Sequence, residues 1–264
     1  MFDALYIGAT GMQAQQLNVD TIANNLANVN TAGFKRARVS FTDLVARDLT
    51  MTTAANRSEE SGVLGRGLSL GAGVGVANLS KLFEMGDLKK TDAPYDVTIR
   101  GDGFLEVLLP DGTSAFTRGG TLKINKDGLL ATQSDVPLKP GITIPEDTQE
   151  LIVHADGRVQ VRTSVQGAAL DVGRIELVKF VSPQGLVPQG DNLYRTSAAS
   201  GEAISARAGE DGVGTLAQGF LEGSNVKMVD EMVNLIVAQR TYEANVKIVQ
   251  AADEILGMVN GLRR

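Results

Sequence analysis

The residues able to do chemistry are few. The 264-residue chain has one histidine and no cysteine. Disulfides, thiolate metal sites and cysteine nucleophiles are therefore excluded. His154 sits in Leu-Ile-Val-His-Ala-Asp-Gly, which reads as a strand running into a turn and places it on a sheet surface. Zinc would have to take its remaining ligands from carboxylates, a rare donor set. Asp102, Asp111, Asp127 and Asp156 each precede glycine and read as turn residues. Asn125-Lys126-Asp127-Gly128 lacks the ligand spacing of a calcium loop. Glu146 and Asp147 could be taken for a hydrolase pair, but adjacent strand residues point apart. The glycines around Gly71, Gly73 and Gly75 have no Gly-Lys-Ser/Thr and no following helix pattern, so they do not make a phosphate loop. No catalytic constellation, cofactor site or metal site emerges.

Two other groups remain. Asn24, Asn25 and Asn28 crowd one short stretch, although Asn competes with a helical backbone for hydrogen bonds. Their amides either bond a neighbour or mark a fraying helix end. Lys35, Arg36 and Arg38 form a basic patch, suited to an acidic partner or to a solvated turn. At net charge −6 the chain as a whole is not a general nucleic-acid binder.

The elements that must position these residues are long amphipathic helices at both ends. The first stripe runs Phe2, Leu5, Ala9, Met12, Gln16, Val19, Ala23, Leu26. The second runs Met228, Met232, Leu235, Gln239, Tyr242, Val246, Val249, Leu256. Steps of three and four dominate, the spacing of a coiled-coil seam. A helix with one narrow apolar stripe needs a partner to cover it, so assembly is the first functional expectation. The first helix is expected over about 2–29 and closes where Gly33 can turn left-handed. The second is expected to start near Ser224-Asn225, both good N-caps, with Arg263 and Arg264 at its negative end and Glu243 paired to Lys247 along its flank.

Between the helices, Phe41 to Leu49 reads as an apolar, partly helical piece, and 50–62 as a polar mobile loop or a segment that orders only in contact with a partner. Residues 68–76 alternate Leu68, Leu70, Ala72, Val74, Val76 against Ser69, Gly71, Gly73, Gly75. That is strand periodicity with one bare face, which lets another backbone approach closely. From about 95 to 220, Asp111-Gly112, Asp127-Gly128 and Asp156-Gly157 signal hairpins. Tyr95, Phe104, Phe116, Phe180, Tyr194 and Phe220 read as core anchors. The expected fold class is α+β: terminal helices pairing as a coiled coil around an all-β middle, a sandwich or an irregular barrel. Residues 1–30 and 225–264 form a discontinuous helical core, 31–75 an extended connecting segment, and 76–224 a β-rich outer domain. No run of 18 apolar residues suggests a membrane span, and the N-terminus does not read as a Sec signal.

The segment from Ala23 to Arg36, with Asn24, Asn25, Leu26, Asn28, Gly33 and Phe34 as its signature, resembles the N-terminal motif of bacterial flagellar axial proteins, the rod, hook and hook-associated subunits. Residues 225–260 resemble their C-terminal helix. Gly101-Asp102-Gly103-Phe104, Leu109 to Arg118, Ile142-Thr143-Ile144-Pro145 and Gly190-Asp191-Asn192-Leu193-Tyr194 are most similar to the distal-rod branch. The proximal-rod branch is the rival, since Leu221 to Lys227 suits either. The resemblance implies a structural protein, not an enzyme, exported unfolded through the flagellar type III apparatus without a cleaved signal. It implies a tube with paired terminal helices inside, 31–75 packed around them and the β-domain outside. It also implies an address in the basal body, across the periplasm. The partners implied are itself, proximal rod and hook subunits, and the peptidoglycan-layer and outer-membrane ring proteins. A secreted β-rich hydrolase or carbohydrate-binding module with helical arms is the distant alternative. The expected assembly seam is Leu5, Met12, Val19, Leu26, Met228, Met232, Leu235, Tyr242, Val246, Val249 and Leu256.

Overall fold

The computed structural model describes residues 2–49, 68–163, 168–210 and 212–261. The loop expected over 50–62 and the terminal Arg263 and Arg264 lie outside the described residues. Two compact units result. One comprises 1–24, 38–79 and 229–264; the other comprises 25–37 and 80–228.

In the first unit, helix α1 spans Phe2–Ala27 and helix α2 spans Met228–Gly261. At 1.5 Å per residue they run about 39 and about 51 Å. Strands β1 (Ala37–Leu49) and β2 (Leu68–Lys81) pair as a two-stranded sheet. The helical expectation for Phe41 to Leu49 is thus corrected. Its apolar residues, Phe41, Leu44, Val45 and Leu49, fall at steps a helix would share, but pairing with β2 sets the backbone. The strand expected over 68–76 is present and runs on to Lys81. Gly73 adopts φ +107°, and a Cβ there would run into the Thr10 hydroxyl of α1. The bare strand face therefore admits a helix, as the alternation anticipates.

The start of α2 is also corrected. It begins at Met228, three residues beyond Asn225, because the Asn225 side chain is engaged elsewhere. On its flank, Glu243 meets Arg240 one turn back, at 3.5 Å.

The second unit is built of short antiparallel strands. A six-stranded sheet runs edge to edge through residues 187–190, 193–195, 114–117, 104–108, 177–179 and 204–206. A four-stranded sheet runs through 215–218, 96–100, 119–124 and 130–132, and a three-stranded one through 170–174, 158–162 and 150–153. Gly112, Gly128 and Gly157 each take a positive φ, between 73° and 87°, at the three anticipated Asp-Gly turns. Only a residue without Cβ enters that region freely. Val97, Ile99, Leu105, Val107, Leu130, Val159, Val161 and Leu177 are wholly buried and form the main core. A second cluster is aromatic: Phe104, Phe116, Phe180 and Tyr194, with Phe83 against it. The rings meet edge to face, 4.8 Å apart at Phe116–Phe180 and 5.2 Å at Phe83–Phe104, the geometry their quadrupoles favour.

Candidate assembly surfaces and the signature cluster

The two helices touch through their smallest residues. A Cβ on Gly8 would stand 2.7 Å from Val249 Cγ2, and one on Gly11 2.9 Å from Asn245 Nδ2. Gly8 faces Val249 and Gly11 faces Asn245, so the helices run antiparallel at this contact. The covered side of α1 is Gly8, Ala14, Thr21 and Ile22. That of α2 is Glu231, Ala238 and Ala252, flanked by half-buried Leu235, Asn245, Val249 and Leu256.

The residues expected to form the seam divide. Leu5, Met12, Val19, Leu26, Leu235, Val246, Val249 and Leu256 are half-buried. Met228, Met232 and Tyr242 are exposed. A second apolar face of α2, not singled out by the periodicity, is also open: Val229 is 72% exposed, Ile236 57% and Val237 58%. Val233, Ile248, Ile255 and Met258 extend it. Leaving so much large apolar surface in water is unfavourable, and such patches mark interaction sites. The signal was present in the sequence as extra apolar residues beside each seam position.

Apart from Asn24, the signature residues sit in the other unit. Gly33 takes the anticipated left-handed conformation, φ +71°, and Phe34 is buried. Asn25 is buried and pairs with Ala37, its Oδ1 accepting the N–H at 2.8 Å and its Nδ2 donating to the carbonyl at 2.9 Å. Of the two readings of the Asn run, bonding to a neighbour holds for Asn25.

The basic patch is not a patch. Lys35 has no exposed surface. Its Nζ donates to Glu222 Oε1 and to the Glu84 carbonyl, both at 2.6 Å. Glu222 also accepts from Gly86 N–H at 2.9 Å and faces Arg118 Nε at 3.4 Å. Arg118 donates to the carbonyls of Gly103 and Gly101 at 2.8 and 2.9 Å. Lys81 donates to the Lys35 carbonyl at 2.9 Å and stands 4.2 Å over the Phe34 ring. Arg36 is partly exposed and meets Glu84 at 3.6 Å. Burial lowers the Lys35 ammonium below its ordinary value, with Glu222 opposing the shift. Burial likewise lowers Lys81. Burial pushes the Tyr194 phenol up to about 12, with Arg118 and Glu222 contributing smaller opposed effects.

Several of the motifs quoted above for the resemblance converge here, although they are scattered along the chain. Gly101 and Gly103 hold Arg118; Glu222 meets Lys35 and also accepts from Gly33 N–H at 2.8 Å. Asn192 donates to the Ala32 carbonyl at 2.8 Å. Three family models match these regions. One described as flagella basal body rod protein covers residues 5–35, one described as flagellar hook protein FlgE/F/G D1 domain covers 98–161, and one described as flagellar basal body rod FlgEFG protein C-terminal covers 217–262. The flagellar basal-body rod protein FlgG of Borreliella burgdorferi is 42% identical over the whole of both chains. Its counterpart in Caulobacter vibrioides is 41% identical over 98% of this chain and 99% of its own. The chain belongs to the FlgG family of flagellar basal-body rod proteins. The FlgF rod protein of Caulobacter vibrioides is more distant, 34% identical over 98% of this chain.

His154 is half-buried just beyond the strand 150–153, its Nε2 3.0 Å from Gln160 Oε1. Among the described residues no group of three or more His, Asp or Glu could hold a metal ion, and no helix is long and apolar enough to cross a membrane. An open hollow of about 690 Å³ is lined in part by Glu106, Thr113, Arg195 and Glu202.

Proposed function

We propose that this chain is the structural subunit of the distal rod, polymerising into the shaft that carries torque from motor to hook. The observation that carries the reading is end-to-end similarity to FlgG rod proteins, 41–42% in three species, against 34% to the FlgF rod protein. The physical support is the open apolar face of α2, on a helix whose other side is already covered by α1. A tube follows when such a face meets a different surface on the next copy, a heterologous contact that repeats without closing.

In this reading the terminal helices, 1–30 and 225–264, pair as a coiled coil in the wall of the tube. Leu5, Met12, Val19, Leu26, Met228, Met232, Leu235, Tyr242, Val246, Val249 and Leu256 lie along its seams. Residues 31–75 pack around that core and stiffen it, and 76–224 form the outer surface. The partners are further copies, proximal rod and hook subunits, and the peptidoglycan-layer and outer-membrane rings. The subunit reaches the periplasm unfolded through the flagellar type III apparatus and acts in the basal body without catalysis. Electron microscopy of the concentrated, purified chain tests the reading. Straight tubes are expected, and a protein that stays monomeric at every concentration refutes it.

A further inference from the structure

The chain passes between its two compact units four times: between residues 24 and 25, 37 and 38, 79 and 80, and 228 and 229. Within the β-rich unit, the segments beside these crossings are fastened to one another by two asparagines. Asn25, in the last turn of α1, matches both polar groups of Ala37, as a neighbouring strand would. Asn225, just before α2, accepts from Arg36 N–H at 2.7 Å and donates to the carbonyls of Leu82 and Glu84 at 2.8 and 3.2 Å. The Arg36 carbonyl in turn accepts from Leu82 N–H at 2.9 Å. Residues 25, 36–37, 82–84 and 225 therefore form one connected set, and each crossing has a member of that set within four residues.

The chemistry is particular to a short amide. Asn carries a donor and an acceptor on one rigid group, so it can read a backbone N–H and a carbonyl together. Aspartate keeps only the acceptor. Serine has one rotatable hydroxyl and cannot span both. At Asn225 this use of the side chain displaces the ordinary one, since an Asn at that place would otherwise cap the helix that follows.

We propose that Asn25 and Asn225 are positioning residues: their amides clamp the four roots of the helical unit into one register. Load on the terminal helices then enters the β-domain through four tied chains, where four separate linkers would each allow swivelling. The load-bearing purpose rests on the rod reading; the clamp itself does not.

The chain has no native cysteine, so a pair of spin labels on Lys126→Cys and Asn234→Cys reports one distance in the full-length monomer. Removing both amides, with Asn25→Ala and Asn225→Ala, is expected to widen that distance distribution about twofold while the β-domain still melts cooperatively. Asn25→Ala alone, which leaves the Asn225 bonds to Arg36, Leu82 and Glu84 in place, is the milder variant and is expected to give an intermediate width. An unchanged width in a folded double variant, or the same width for the single and the double variant, overturns the clamp. The measurement needs no assembly, so a wild-type chain that makes no tubes would refute the rod reading and leave this result standing.

Discussion

Lys35 holds its ammonium among protein atoms alone, between the Glu222 carboxylate and the Glu84 carbonyl. A buried pair of this kind adds little net stability over an apolar substitute, but removing one partner strands the other. Lys35→Met is therefore expected to destabilise the β-domain by about 3–5 kcal/mol in urea unfolding. Glu222→Gln should cost less in the Lys35→Met background than alone, because alone it strands both Lys35 and Arg118 and in that background only Arg118; strict additivity of the two would show that Lys35 and Glu222 are not coupled. Tyr194 makes a second prediction. Its folded pKa of about 12 lies above an ordinary phenol's 10.0, so between these values the folded state holds a proton that the unfolded chain has released. Stability from this group is fully present below pH 10 and lost as pH climbs towards 12, about 2–3 kcal/mol in all. Tyr194→Phe should flatten that decline between about pH 9 and about pH 11.5; an equally steep fall in the variant would assign it to other groups. Neither environment is legible at short range along the chain. Lys35 sits beside two arginines and looks like surface, because its counter-charge lies 187 residues away.

Contacts between elements are set by missing side chains as much as by present ones. Gly8 and Gly11 let α1 lie against Val249 and Asn245, and Gly73 lets β2 lie against Thr10. Gly8→Val should push the helices apart and cost about 1–3 kcal/mol, read as an earlier melting of the far-ultraviolet helical signal. Gly257→Val, on α2 with nothing within 4 Å of its Cβ position, is the control, and equal losses at both sites would deny the close packing. Elements defined by local chemistry were legible beforehand. Asp-Gly pairs located three hairpins, and the Gly-x-Gly alternation located β2 and its bare face. The Phe41 to Leu49 segment was not legible, because its apolar spacing fits a helix and only pairing with β2 decides otherwise. The start of α2 was missed for a related reason. Asn225 is a good cap by type, and only the fold shows its amide spent on Arg36, Leu82 and Glu84.

For the molecule as a whole, the two sides of α2 make separable contributions. Leu235 lies half-buried on the side towards α1, while Ile236 next to it points its side chain into water. A single-stripe reading of the sequence assigns assembly to Leu235 and overlooks Ile236, since steps of three and four can be traced through either. The open face makes Ile236 the better test of polymerisation. Ile236→Asp should leave monomer stability within about 0.5 kcal/mol of wild type, as exposed substitutions do, and should abolish tubes in the electron microscope. Leu235→Asp should lower monomer stability as well, because its carboxylate would enter the contact between the helices. The contrast has a physical basis in repetition. In a helical polymer each subunit presents the same face to its neighbour, so one desolvated carboxylate recurs at every interface, and burying an unpaired charge costs several kcal/mol each time. Tubes of ordinary length and number from Ile236→Asp would mean that the open face of α2 looks outward in the assembly too. The intersubunit contact would then have to be sought on the half-buried seam.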